Sequence, residues 1–189
     1  MARRGETRKR VLRTAADLFQ RQGFHGTGLQ QVIAESGAPK GSLYFHFPGG
    51  KEQLAAEAVG MSGEAIAGAI ARLAEESEDT VAAMRALTEL QAAGLEATGY
   101  ERGCPIATVV LDAAVGSEPI RAACDAGFES WLALLEDRLR RDGFGEAEAA
   151  SKAVLILAAV EGALVLARAR HDVEPLRLVA DELEGGLRR

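Results

Sequence analysis

APKGSLYFHFPGGKEQL, residues 38–54, sets two lysines, a serine, a tyrosine and a histidine within two short turns and then breaks at Pro48-Gly49-Gly50. Leu43 and Phe47 lie four apart, so a helix over Ala38–His46 has one narrow apolar edge for anchoring. That is too little for an ordinary core helix. With Leu43 and Phe47 turned inward, Lys40, Ser42, Tyr44 and His46 face outward. A short helix with a cationic and aromatic outer face is built to touch another molecule. Beyond the glycine pair a longer helix starts at Lys51, with Leu54, Ala58, Ala65, Ile66, Ala69, Ile70 and Leu73 three or four apart.

The residues before this stretch supply its support. Val11, Leu12, Ala15, Leu18 and Phe19 recur on one face of a helix from about 6 to 22, and Gly23 gives the stop. A second helix spans about 29–36, with Val32 and Ile33 inward and Gly37 as its C′ residue. Pro39 suits the first position of the third, where a missing N–H costs nothing. Three short helices with a glycine-containing turn between the last two make a helix-turn-helix. In that motif the third helix enters the DNA major groove and the preceding one crosses the backbone. Lys40 and Lys51 can neutralise phosphates, and Tyr44 can pack on a sugar or a thymine methyl. The free N–H groups at the helix starts near 27–28 and 50–51 add anion sites.

Charge agrees with this division. Residues 1–50 carry eight Lys+Arg and three Asp+Glu, a balance of +5, whereas residues 51–189 carry 14 and 25, a balance of −11. A basic module that meets a polyanion is fused to an acidic body that does not.

The run TRKRVLRTAADLFQRQGFHGTGLQQVIAESGAPKGSLYFHFPGGKEQL resembles the DNA-binding domain of TetR/AcrR-type transcriptional regulators. The shared features are A-x-x-L-F…G-[FY], T-x-[VL]-x-x-[IV], and K-G-[ST]-L-Y-x-H-F followed by K-E-x-L. The resemblance implies DNA contacts by Thr27, Gln30, Lys40, Gly41, Ser42, Tyr44, His46 and Lys51. Gly28, Pro39 and Gln30 depart from the commoner hydroxyl, hydroxyl and arginine residues, so side-chain helix caps are expected to be missing. Further on, RGCPIATVVLDAA…SEPIRAACDAGFESW resembles the C-terminal domain of the LmrA/YxaF subgroup, whose members respond to small, often planar compounds.

The body beyond residue 50 stays helical, with helices expected near 79–97, 104–114, 117–141, 146–169 and 174–187. The fold class is therefore all-α: a DNA-binding domain over 1–50 and a larger ligand-binding and dimerisation domain over 51–189. Ile66, Met84, Leu87, Ile106, Val110, Phe128 and Trp131 are candidates to line a pocket. The run 153–167 is apolar on every side but for Glu161, and such a helix is buried on both sides. With the last helix it would form a four-helix interface across a two-fold axis, as the resemblance also implies, through Leu157, Glu161, Leu164, Val165, Val179 and Leu183. Glu161 is expected to pair with Arg168 or Arg121.

Other chemistry is poorly supported. His25, His46 and His171 lack metal-ligand spacing, and Cys104 and Cys124 read as small buried hydrophobes. GMSGE misplaces a glycine for a nucleophile elbow, GTGLQQ lacks the third glycine of a dinucleotide loop, and no phosphate-binding loop occurs. No enzyme activity, cofactor or metal is expected. The basic N-terminus has no apolar stretch behind it, and the run 153–167 is shorter than a bilayer span, so a cytoplasmic protein without membrane partners is expected. The partners expected are double-stranded DNA with a palindromic operator, a small-molecule inducer and a second copy of the chain. The alternatives are a helical small-molecule-binding protein without DNA binding, or a regulator without an inducer.

Overall fold

A computed structural model describes residues 4–187; the first three residues of the basic N-terminus and the last two of the chain lie outside it. Among the described residues all regular structure is helical: α1 Arg4–Gly26, α2 Leu29–Ser36, α3 Lys40–His46, α4 Gly50–Glu76, α5 Thr80–Ala97, α6 Pro105–Ala113, α7 Glu118–Arg141, α8 Glu146–Arg170 and α9 Glu174–Leu187. The chain divides into two compact units, one of Met1–Glu64 with Pro105–Gly127, the other of Ala65–Cys104 with Phe128–Arg189. The first unit thus includes a later return of the chain as well as the N-terminal helices.

In the first unit α1 packs against α2, α3 and α6. Val11, Ala15, Leu18 and Phe19 form its buried face, and Leu43 and Phe47 are fully buried. Each of the latter contributes on the order of 1.5–3 kcal/mol by leaving water. Gly23 interrupts α1 at φ 76°, ψ 178°, and one further turn runs to Gly26. This is a backbone that side chains with a Cβ rarely adopt. Gly37 closes α2 in the left-handed region, its N–H bonded to the Ala34 carbonyl. Neither Gly28 nor Pro39 gives a side-chain cap, as the sequence departures imply. Pro39 stands at the N-cap of α3, with ψ 136°, not in its first turn. A proline disfavours the helical region for the residue before it, so Ala38 cannot lead a helix.

In the second unit α9 packs on α5 and α8. Val81, Met84, Leu139, Phe144, Ala149, Ala153, Ile156, Val160, Ala180 and Leu187 form its core. Asp79 caps α5 by accepting the Ala82 N–H at 2.8 Å. Arg138 is buried but satisfied: its guanidinium donates to the Ala74 and Ser77 carbonyls at 2.5 and 3.2 Å and pairs with Asp142 at 3.2 Å. Asp142 in turn accepts the N–H and the hydroxyl of Thr80, both at 2.6 Å.

By length and composition alone α4 and α8 are apolar enough to cross a membrane. The apolar run 153–167 is itself shorter than a span, and α8 extends past it at both ends into residues that include Glu146, Glu148, Arg168 and Arg170. In the fold α8 buries Ala149, Ala153, Ile156, Val160, Ala163, Leu164 and Ala167. Its opposite face remains uncovered: Val154, Leu155, Val165 and Leu166 are all about half exposed or more.

Candidate nucleic-acid interface

The geometry of α3 follows from its two anchors. Leu43 and Phe47 are inside, so the residues between them are turned out: Tyr44 is 49% and Phe45 61% exposed. Lys40 and Gly41 are exposed at its start, and a Cβ on Gly41 would meet nothing within 4 Å. Ser42 is half-buried, its N–H bonded to the Pro39 carbonyl at 2.8 Å. His46 is half-buried between the rings of Phe45 and Phe47, with centroids at 5.2 and 6.5 Å. Gln30 is exposed on α2. Lys40, Gly41, Tyr44 and Phe45 thus share one open surface on a rigid base, a cation beside two aromatic rings.

Two residues of the DNA-contact set stand differently. Thr27 is buried; its hydroxyl donates to the Gly23 carbonyl at 2.7 Å and accepts from the Gln22 amide at 3.3 Å. This side chain holds the bent end of α1. Lys51, in the first turn of α4, sets its ammonium 4.4 Å above the Phe24 ring. Desolvation there lowers its pKa, and the nearby charge of Asp112 opposes that shift.

Sequence reasoning passed over Phe45, although a residue midway between two inward anchors must point out. It also missed the Phe24–Lys51–Asp112 group. Nothing in local spacing could have revealed it, because Asp112 comes from α6.

The pocket candidates separate. Ile106 and Val110 belong to the first unit and Ile66, Met84, Leu87, Phe128 and Trp131 to the second. Met84 and Leu87 line a cavity of the second unit together with Ile70, Leu134, Leu135 and Ile156. Its free space, about 20 Å³, has room for about one water. Phe128 and Trp131 pack edge to face, with centroids 5.5 Å apart. Among the described residues no three His, Cys, Asp or Glu side chains converge as metal ligands.

Of the interface candidates on α8 and α9, Val165 is exposed and Leu164 is in the core. Leu157 is half-buried, and Val179 and Leu183 pack against the second unit's core cluster. Glu161 is half-buried, and neither arginine expected to pair with it does so. Arg168 donates to the carbonyls of Tyr100 and Glu101, at 3.3 and 3.0 Å, and Arg121 pairs with Glu118 and Asp125. One Glu161 oxygen is buried without a hydrogen-bond partner. Burial raises the carboxyl pKa, and a hydrogen bond with the Cys104 thiol partly offsets this.

Two family descriptions match this chain. Residues 11–58 match bacterial regulatory proteins of the tetR family, and residues 80–182 match the C-terminal domain of LmrA/YxaF-like transcriptional regulators. The uncharacterized HTH-type transcriptional regulator YxaF of Bacillus subtilis (strain 168) is 40% identical over 183 residues, covering 97% of this chain and 96% of its own. The HTH-type transcriptional regulator LmrA of the same organism is 39% identical over 172 residues, 91% of this chain and 92% of its own. A solved TetR transcriptional regulator from Chloroflexus aurantiacus J-10-FL superposes with a TM-score of 0.80 at 28% identity, covering 97% of this chain and 94% of that one. The reduced form of NemR from E. coli shares the fold, with a TM-score of 0.82 at 24% identity over 95% and 96% of the two chains.

Proposed function

The chain belongs to the TetR family of DNA-binding transcriptional regulators, with an LmrA/YxaF-like C-terminal domain, and from that premise we propose a repressor that binds a near-palindromic operator as a two-fold dimer and is released by a small molecule. The observation that carries this reading is the outer face of α3, where Lys40, Tyr44 and Phe45 stand exposed on fully buried Leu43 and Phe47. Residues 1–50 read the operator. Lys40, Lys51 and the backbone at Gly41 meet phosphates; Gln30, Ser42, Tyr44 and His46 meet sugars and base edges; Thr27 fixes the helix end behind them. A repressor that acts by occupying its operator needs no catalytic group.

Residues 51–189 supply the dimer and the inducer site. The uncovered side of α8 is aliphatic between Val154 and Leu166, with Leu178 of α9 also exposed, and a second copy offers the same chemistry across a two-fold axis. An inducer is small and largely apolar, to match Met84, Leu87, Phe128 and Trp131. Regulation without an inducer is the second reading, favoured by the one-water size of the cavity lined by Met84 and Leu87.

Fluorescence anisotropy with duplexes carrying two half-sites about one helical turn apart (roughly 34–36 Å) tests the proposal. One dimer should bind per duplex, with affinity falling steeply as salt rises because phosphate contacts release counterions. Binding that ignores salt, or binding by a stable monomer, would sink it.

A further inference from the structure

We propose that Asp112 is a positioning residue for DNA binding: from α6 it holds the end of α1 and the Phe24–Lys51 pair where Lys51 can meet a phosphate. This rests on the DNA-binding reading above. The Asp112 Oδ2 accepts the His25 N–H at 2.7 Å, a bond that spans 87 residues of sequence. That N–H is available because α1 breaks two residues earlier at Gly23, and a helix break leaves backbone donors without intrahelical partners. A carboxylate on a backbone N–H is one of the stronger hydrogen bonds. Glycine is required here twice over, because a Cβ on Gly23 would stand 2.9 Å from the same Oδ2 and would meet it at φ 76°.

Between Gly23 and His25 lies Phe24, whose ring carries the Lys51 ammonium. Asp112 therefore ties down the backbone just after the ring on which Lys51 rests and lies close against the backbone just before it, and its charge acts on Lys51 directly. A second tie comes from the same corner of the chain: the Ser117 hydroxyl donates to Glu52 Oε2 at 3.1 Å, one residue past Lys51. An exposed carboxylate beside a phosphate-binding lysine repels a polyanion. Its presence is explained if its work is intramolecular.

The test is a double-mutant cycle read by anisotropy on one duplex over a range of salt, using wild type, Asp112→Ala, Asp112→Asn, Lys51→Ala and the Asp112→Ala/Lys51→Ala pair. Asp112→Ala should weaken binding about tenfold and reduce the salt slope by about one, the signature of one lost phosphate contact, with an unchanged melting temperature. Asp112→Asn keeps an acceptor for the His25 N–H and removes the repelling charge, so it should bind at least as tightly as wild type. Lys51→Ala should cost little more once Asp112 is gone. Additive effects, a wild-type salt slope in Asp112→Ala, or an Asp112→Asn variant as weak as Asp112→Ala would each overturn the inference. If alanine prevents folding, Asp112→Ser, whose side chain falls short of the His25 N–H, takes its place in the cycle. Failure of wild type itself to bind duplex DNA would overturn the DNA-binding reading and this one with it, an outcome distinct from any loss confined to Asp112.

Discussion

Helices α3 and α8 both expose more than an ordinary amphipathic helix does, but they expose different things. On α3, Leu43 and Phe47 are buried completely, and the outer face mixes Lys40, Tyr44 and Phe45. On α8, a buried row from Ala149 to Ala167 is backed by an outer row of Val154, Leu155, Val165 and Leu166, with no cation among those four. The first surface matches a polyanion with flat, apolar sugars and bases, since it combines charge with aromatic area. The second matches only another apolar surface. One chain thus carries two uncovered faces of different chemistry, and the proposed occupants, DNA for the first and a second copy for the second, follow that difference.

The comparison breaks most completely at Leu43. Leu43→Asp places a carboxylate in a fully buried site among the helices of the first unit, with no partner to offset its desolvation. The expected result is loss of operator binding together with loss of cooperative melting of the N-terminal helices. Circular dichroism and anisotropy on the same sample check it. A folded Leu43→Asp variant with wild-type binding would mean that α3 is not held by this anchor.

On α8 the corresponding change spares the fold. Val165 is 57% exposed, so Val165→Glu should leave the monomer's melting temperature nearly unchanged. In a two-fold dimer it would bury two like charges close together, and dimer dissociation should rise by at least a hundredfold. Operator affinity would then fall with the loss of the second reading head. Sedimentation equilibrium reads the first effect and anisotropy the second. A variant that stays as associated as wild type would show that another face is used.

How far the sequence disclosed these faces depends on the kind of helix. α3 was legible because only two of its residues are strong anchors, and their four-residue spacing dictates what points out. In α8 the periodic signal cancels: Leu164 and Val165 are adjacent and both apolar, and nothing local says which one is buried. The structure assigns Leu164 to the core and Val165 to the surface. The same ambiguity affects the cavity of the second unit, where Ile70, Leu134 and Ile156 line the wall beside Met84 and Leu87. An apolar stripe specifies burial, not whether it faces a neighbour or a void. Buried carboxylates are usually paired, which is why the sequence suggests an ion pair for Glu161; here burial is met by a raised pKa and a thiol instead.

The smallest effect sharpens the comparison from inside the first unit. Cys124 is fully buried on α7, and burial pushes its thiol pKa up to about 11 from a usual value of 9.0. The native thiol therefore stays protonated at neutral pH, unreactive toward alkylating reagents until the protein unfolds. The sign of the pH effect follows from proton counting. Between pH 9 and about 11 the unfolded chain has released this proton and the folded chain has kept it, so the unfolded state binds fewer protons. Stability must fall as pH rises through that window. Cys124→Ala removes the titrating group and leaves a constant cavity penalty, so the wild-type minus variant difference should shrink by roughly 1 kcal/mol between pH 8 and pH 10. Urea midpoints of both proteins at the two pH values measure it, with lysine and tyrosine titration common to the pair. A difference independent of pH, or rapid alkylation of folded protein at Cys124, would show that α7 opens to water at this position.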